Sequence, residues 1–462
     1  EINVNGTKFT IEILKTEMNE ANVKSDRIIE IKAHHRIGFG ANSIFPVALT
    51  HSVPDAVGYV LNTVDGAIFY TGDFTFDSTM TGAYKTDMGK LAYIGKQGVL
   101  CLLAESTYAE KIGHTSPKHR IAGVIRDTLV KYDGRIIVVA AAYSVHRLQE
   151  LFNEVSKTNR KVVIMGKELQ TYINNAIALG YITLDRSKIG DLNTINEPNT
   201  VILVNTEREN AFANLSRIVN NSDKFVRLNV NDTVFFLENI YDSAERTVVR
   251  LQDQIAKLGI NIVTLHPQKH LMHHASREDL LLMIDLMNPK YYMPVIGEYR
   301  YQIANANIAK EYGIKEENII VKLNGEVVLF ENGVLTESPD VIEVDEILID
   351  GKSSEDIGEL VLKDREVLSD NGIVIVSATL DRKTKQVIAG PEILTRGFIY
   401  VKDNPELMKE ISNKSLEVIK ENVNNNYVEY NKIRLGVREK LGKYLFKETE
   451  CRPMIITVIT EV

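Results

Sequence analysis

Three side chains able to bind a cation or carry a proton stand just past three successive apolar runs. His51 comes after "FPVAL", Asp73 after "GAIFY", and Glu105 after "VLCLLA". In layered α/β proteins, ligand and catalytic groups collect in loops beyond strand ends. The same positions also suit turn caps, which Asp, Ser and Thr fill routinely. Spacing alone does not choose between the two. A second group lies in "HLMHHASREDL", where His270, His273 and His274 fall within five residues. Ser276 suits the N-cap of the helix that follows, and Glu278 and Asp279 suit the positive end of its dipole. Capping accounts for those three residues and leaves the histidines unexplained. An imidazole near a helix N-terminus is a good phosphate contact. No C-x-x-C, P-loop, G-x-S-x-G or dinucleotide fingerprint occurs in the chain, which removes several common enzyme classes.

The elements that must position these residues follow from periodicity. Residues 44–104 are strand-like runs broken by Pro, Gly and Asp, and Asp65–Gly66 between two of them predicts a hairpin. From about 115 to 265 short, continuous Val- and Ile-rich runs alternate with helical patterns at 145–158, 168–180 and 242–259. That alternation predicts βαβ units around a mainly parallel sheet covered on both faces. A helix at 277–287, a strand in "KYYMPVIG" and a hairpin within "VKLNGEVVLFENGVL" follow, then an acidic stretch near 337–357 that suits a linker. The last hundred residues form a separate α+β pattern. It has strands in "GIVIVSATLD", "GFIYVKD" and "RPMIITVITEV" and two helices, one marked by Leu407, Ile411 and Val418 and one by Ile433, Val437, Leu441 and Leu445.

Composition bounds the class. The chain has 462 residues, 44% of them hydrophobic, and a net charge of −8, as expected of a multi-domain globular protein. No run is long and apolar enough to span a bilayer, and no secretion signal appears. Cys101 and Cys451 are far apart, which argues against a disulfide framework and suits a reducing, cytoplasmic setting. Residues 105–167 carry 11 Lys and Arg against 6 Asp and Glu. Such a tract can attract a polyanion, although uneven surface charge explains it equally simply.

In order along the chain, "THSVPDAVG", "YTGDFTFD", "ESTYAEK", "HRLQE", "HHASREDLLLMIDLMNPKYYMPV-GEYR", "GPEILTRGFIYV" and "RPMIITVITEV" resemble ribonuclease J, a bacterial branch of the β-CASP metallo-β-lactamase superfamily. The resemblance implies an α/β fold. Its metallo-β-lactamase αββα sandwich would be N-terminally incomplete and split into 1–112 and 282–350. A β-CASP domain would be inserted at 113–281, with a linker at 351–364 and an α+β dimerisation domain at 365–462. It implies RNA as substrate, 5′-to-3′ exonuclease and endonuclease activity, and two divalent ions, Zn or Mn/Mg. Carried over, His51 resembles a ligand of one ion and Asp73 the bridging carboxylate. Glu105 resembles the acid of the first β-CASP motif, and His274 the phosphate contact of the second. His270, with His273 and Ser276 beside it, would line the substrate channel.

Three departures accompany the likeness. The ligand motif H-x-H-x-D-H is absent and would precede residue 1. Ile296 stands where the family places a third ligand histidine. "NTEREN" replaces a Gly-rich loop after "TVILV". Two expectations follow: an active nuclease, or a degenerate subunit without a tight metal pair that guides RNA beside an active paralogue. Self-association as a homodimer or heterodimer is expected in either case.

Overall fold

The computed structural model describes residues 3–24, 27–206, 212–239, 244–336, 338, 340–344, 359–398, 404–424 and 427–462. It divides into two compact units, Glu1–Ile342 and Glu343–Val462.

Among the described residues the first unit holds two small two-stranded sheets and two large ones. One is built from β1 (Ile37–Phe39), β2 (Asn42–Ala48), β3 (Val57–Asn62), β4 (Ala67–Tyr70), helix α1 (Met88–Gln97) and β5 (Cys101–Glu105). The other contains α2 (Ala122–Lys131), β6 (Ile136–Ala140), α3 (Val145–Ser156), β7 (Lys161–Met165), α4 (Lys167–Ala178), β8 (Thr200–Asn205), β9 (Thr233–Phe236), α5 (Glu245–Lys257) and β10 (Asn261–Val263). The chain then returns to the first sheet through α6 (Arg277–Met287), β11 (Tyr291–Val295) and α7 (Tyr299–Tyr312).

The first sheet runs β11-β5-β4-β3-β2-β1, and the inserted sheet runs β10-β9-β6-β8-β7, parallel throughout. All five residues of β6 are buried, as expected of a strand with helices on both faces. One face of the first sheet packs on α1, α6 and α7 through Leu91, Leu280, Met283, Ile284 and Ile308. The other face meets Phe330 and Leu335 of a two-stranded ribbon, Leu329–Glu331 with Val334–Thr336. The turn of that ribbon is Asn332–Gly333, both at positive φ, the geometry that an Asn-Gly hairpin requires.

Two features of this unit depart from expectation. Helix α1 lies inside the stretch expected to be strands and turns. Gly89 and Gly95 hide it, since glycine disfavours a helix interior. Gly95 is there for packing: a Cβ would lie 1.9 Å from the Leu286 carbonyl oxygen of α6. The second departure concerns charge. In the basic tract, Arg135 pairs with Asp232, Arg147 with Glu238 and Arg120 with Asp77, and Arg135 and Arg147 are buried. Part of the excess therefore serves internal ion pairs rather than a face for a polyanion.

In the second unit β12 (Ile373–Leu380) lies between β13 (Val387–Arg396) and β14 (Met454–Glu461). Its alternate residues are buried under α8 (Pro405–Glu421) and α9 (Tyr430–Thr449), with Ile433, Val437, Leu441 and Leu445 fully buried. The strand expected in "GFIYVKD" is displaced: β13 ends at Arg396, Gly397 and Phe398 form a bend, and residues 399–403 lie outside the described residues. Most of the expected linker and of "NTEREN" also lies outside them. A helix, Glu359–Asn371, occupies the last part of the segment expected to be linker.

Candidate metal and phosphate site

The ends of β4, β5 and β11 lie side by side. β5 is the central strand of the three, and its last residue, Glu105, is in register with Val295 of β11. Asp73 follows β4 by three residues, and Ile296 directly follows β11. Asn305 of α7 clamps the turn. Its amide donates to the Glu105 carbonyl at 2.9 Å and to Ser106 Oγ at 3.1 Å, while its own oxygen accepts from Tyr292. Ser106 Oγ donates to the Val295 carbonyl at 3.0 Å, which fixes the chain one residue before Ile296.

Glu105 is fully buried and fully occupied. Its Oε1 accepts from the backbone N–H groups of Phe74 and Ala275 at 2.7 and 3.0 Å. Its Oε2 lies 2.8 Å from His274 Nδ1. Burial alone would lower the His274 pKa. The charge and hydrogen bond of Glu105, with Asp73 Oδ1 at 3.8 Å, outweigh burial and raise it. The two carboxylates thus favour the protonated ring, and its Nδ1–H is committed to Glu105.

His51 is arranged differently. Its Nδ1 donates to the His273 carbonyl at 2.9 Å, which leaves Nε2 with its lone pair. Burial and the nearby His274 charge lower its pKa, against smaller opposing contributions from Asp73, the His273 carbonyl and Glu105. A neutral imidazole with one nitrogen fixed by a carbonyl is the usual form of a metal ligand. Asp73 Oδ1 is buried without a hydrogen-bond partner.

Ligand atoms of Asp73, Glu105 and His274 lie within 4.8 Å of one another. Glu105 is spent, since an ion there would have to displace its hydrogen bonds, whereas His274 keeps Nε2 while its Nδ1 is committed to Glu105. His51 Nε2, Asp73 Oδ1 and His274 Nε2 remain, enough for at most one zinc-type ion, which takes at least three protein ligands. The neighbouring strand end supplies Ile296, which has no lone pair. Ile296 also has φ +58°, the left-handed region that β-branched residues rarely enter and histidine tolerates better. The described residues therefore do not fit a two-ion centre.

The other expected site residues separate. His270 is half-buried, its Nδ1 accepting from the His266 N–H at 2.9 Å. Ser276 is fully buried and caps α6, forming a reciprocal capping box with Asp279. Its hydroxyl also bonds Thr115 Oγ1 at 2.7 Å, so it stands behind the substrate face expected for it. His273 is buried as well and points away from that face, into a pocket with His119 and His146. The loop carrying them is tied down by Arg147, which donates to the Leu271 carbonyl at 2.6 Å, and by Asn239, which donates to the His270 carbonyl at 2.7 Å.

Sequence reasoning missed His119, His146, Asp77 and Arg147. His146 and Arg147 lie in "HRLQE" and Asp77 ends "YTGDFTFD", both stretches that carry the resemblance, but nothing in the spacing joins them to His119 or to one another.

Comparison with known proteins decides the family. Residues 133–255 match the ribonuclease J β-CASP domain and residues 360–462 the ribonuclease J C-terminal domain. Residues 250–321, which include the His270–His274 loop and Ile296, match the Zn-dependent metallo-hydrolase RNA specificity domain. "Ribonuclease J 2" of Staphylococcus epidermidis is 33% identical over 99% of this chain and 83% of its own length. "Ribonuclease J 2" of Staphylococcus aureus is 34% identical over the same shares.

The chain belongs to the ribonuclease J family.

Ribonuclease J proteins are nucleases of RNA processing and decay, and the matched hydrolase domain belongs to a family that uses divalent metal. The metallo-β-lactamase fold with an inserted β-CASP domain is the fold of this chain. A solved protein of unknown function from Enterococcus faecalis V583 aligns with a TM-score of 0.48 at 16% identity, over 72% of this chain and 76% of that one. That likeness is too distant to add to the assignment. Among the described residues no helix is long and apolar enough to cross a membrane.

Proposed function

We propose that this ribonuclease J keeps the phosphate-handling half of its family's site and has lost the two-ion hydrolytic half. The observation that carries this reading is the saturation of Glu105. With both carboxylate oxygens engaged, Glu105 acts on His274 rather than on a metal. His274, held as a cation, presents its remaining N–H to a phosphate oxygen of RNA, a charge-assisted contact. His270 on the same loop adds a second, weaker contact.

In the family, divalent ions polarise the phosphate and supply hydroxide. Among the described residues His51 and Asp73 are the ones best suited to hold an ion, and Ile296 offers no donor beside them. The chain then works as an RNA-binding subunit beside an active ribonuclease J, or beside a second copy of itself through residues 365–462, in the cytoplasm. The orphaned, buried Asp73 Oδ1 supports a second reading, that of an active nuclease in which this oxygen still bridges cations.

The test is binding and cleavage measured together. RNA binding that weakens in His274→Asn, with no Mg²⁺- or Mn²⁺-dependent cleavage, supports the first reading. Metal-dependent cleavage lost in Asp73→Asn supports the second.

A further inference from the structure

Behind the phosphate site lies a second histidine group that the reading above does not use. His119 precedes α2, His146 lies in the first turn of α3, and His273 is the immediate neighbour of His274. His119 and His273 are at most 1% exposed, and the His146 side chain is 16% exposed. Their ring centroids are 4.7 Å apart for His119–His273, 5.1 Å for His146–His273 and 6.3 Å for His119–His146. Each ring carries at least one buried nitrogen without a hydrogen-bond partner. Asp77 Oδ2 lies 3.2 Å from His119 Nε2, outside strict hydrogen-bond geometry, and the Thr115 backbone lies close enough to favour a proton on that ring. Asp77 is itself held by Arg120 and Thr79.

Two buried imidazoles and a third mostly covered one, each with a buried unpartnered nitrogen, are an uncommon arrangement, because buried polar atoms are nearly always satisfied. We infer that His119, His146 and His273 form a binding site for one zinc-class transition-metal ion, separate from the His51–Asp73 position, with Asp77 orienting His119. Three imidazoles around one tetrahedral ion, with nitrogens at about 2.1 Å, place ring centroids about 5 Å apart. Two of the three separations already match, and the third must close by about 1 Å. The ring nitrogens do not converge as they stand, since the one group of three ligand atoms within 4.8 Å among the described residues is Asp73, Glu105 and His274. Turning a ring about Cβ–Cγ exchanges nitrogen for carbon with little movement of its centroid, and closing on an ion needs that turn. All three rings are neutral at pH 7, chiefly through burial, so no proton has to leave before ligation. A carboxylate behind a ligating histidine is the common supporting arrangement. An ion here would tie the start of α2 and α3 to the loop that carries His274, and so position the phosphate contact.

The test uses the full chain, stripped with a chelator and titrated with Co²⁺ and then Zn²⁺. The expected result is one equivalent of Co²⁺ with the intense visible bands of a tetrahedral site, displaced by Zn²⁺. Affinity falls at least about tenfold in His119→Gln and in His146→Gln and is unchanged in Asp73→Asn. X-ray absorption on the zinc-loaded wild type, which needs no variant to fold, is expected to count three imidazoles. Absence of stoichiometric binding overturns the inference. So does binding retained in both His variants or lost in Asp73→Asn, or an imidazole count below three.

Discussion

His273 and His274 are consecutive residues on one loop, and their surroundings give them opposite chemistry. His274 faces Glu105 at 2.8 Å and Asp73 at 3.8 Å, and its pKa is raised. His273 faces His119, His146, Arg147 and His51, is fully buried, and its pKa is pushed well down. Burial acts on both in the same direction, so the difference is the charge of the partners. One histidine has its Nδ1 bonded to a carboxylate and its protonated form favoured. The other is a neutral ring with an unpartnered nitrogen. The contrast separates the site proposed to meet an anion from the one proposed to meet a cation.

The contrast can be broken first at Glu105. Glu105→Gln removes the charge that holds His274 protonated and upsets the bonds to the Phe74 and Ala275 N–H groups. A loss of about 3–5 kcal/mol in urea unfolding is expected, the range for breaking a buried charge pair. A loss below 1 kcal/mol would mean that the pair is not a structural unit.

The second effect is one of pH, measured on metal-free chain. His119 and His146 are lowered from 6.5 to about 4, mainly by burial. For a lowered histidine the unfolded chain takes up the proton first. Stability is therefore held above pH 6.5 and is lost as pH falls from about 6.5 to about 4. Each ring contributes at most about 3 kcal/mol over that window. His274 has the opposite sign: its contribution is full below pH 6.5 and fades as pH rises through its raised pKa. Urea midpoints of wild type and His146→Gln between pH 4 and 7 check the first slope, which the variant should flatten.

A smaller effect is expected for RNA. His274→Asn keeps a side chain of similar reach and removes the cation, so binding to a short 5′-phosphorylated RNA should weaken by about 1.5–3 kcal/mol, read by fluorescence anisotropy. Equal loss in His273→Asn would erase the distinction between the two residues.

The smallest effect concerns Ile296. Replacing it with glycine relieves a left-handed β-branched residue and should raise stability by about 1 kcal/mol, offset in part by lost apolar burial. A thermal melt showing a clear loss would mean that its packing outweighs the backbone strain.

Much of the scaffold was legible in the sequence because period and turn chemistry are local. The Asp65–Gly66 hairpin, each strand and helix of the inserted sheet and the stripe from Ile433 to Leu445 declare themselves over short stretches of chain. What was hidden depended on partners far along the chain. Helix α1 was masked by Gly95, whose reason is a carbonyl in α6. β13 was hidden by Gly390 and Pro391, residues that argue against a strand interior; a Cβ at residue 390 would lie 2.5 Å from the Ser377 carbonyl oxygen. His51, Asp73 and Glu105 were visible because they follow strands. His119 and His146 were invisible because only the return of the chain at His273 brings them together.

The central claim is that phosphate contact survives here without a two-ion hydrolytic centre. Its most direct test is cleavage of a labelled 5′-monophosphorylated RNA by the purified chain in Mn²⁺ and in Mg²⁺, beside Asp73→Asn. The account predicts that wild type and variant are alike at the level of a buffer control. Metal-dependent turnover in the wild type that vanishes in Asp73→Asn would contradict it.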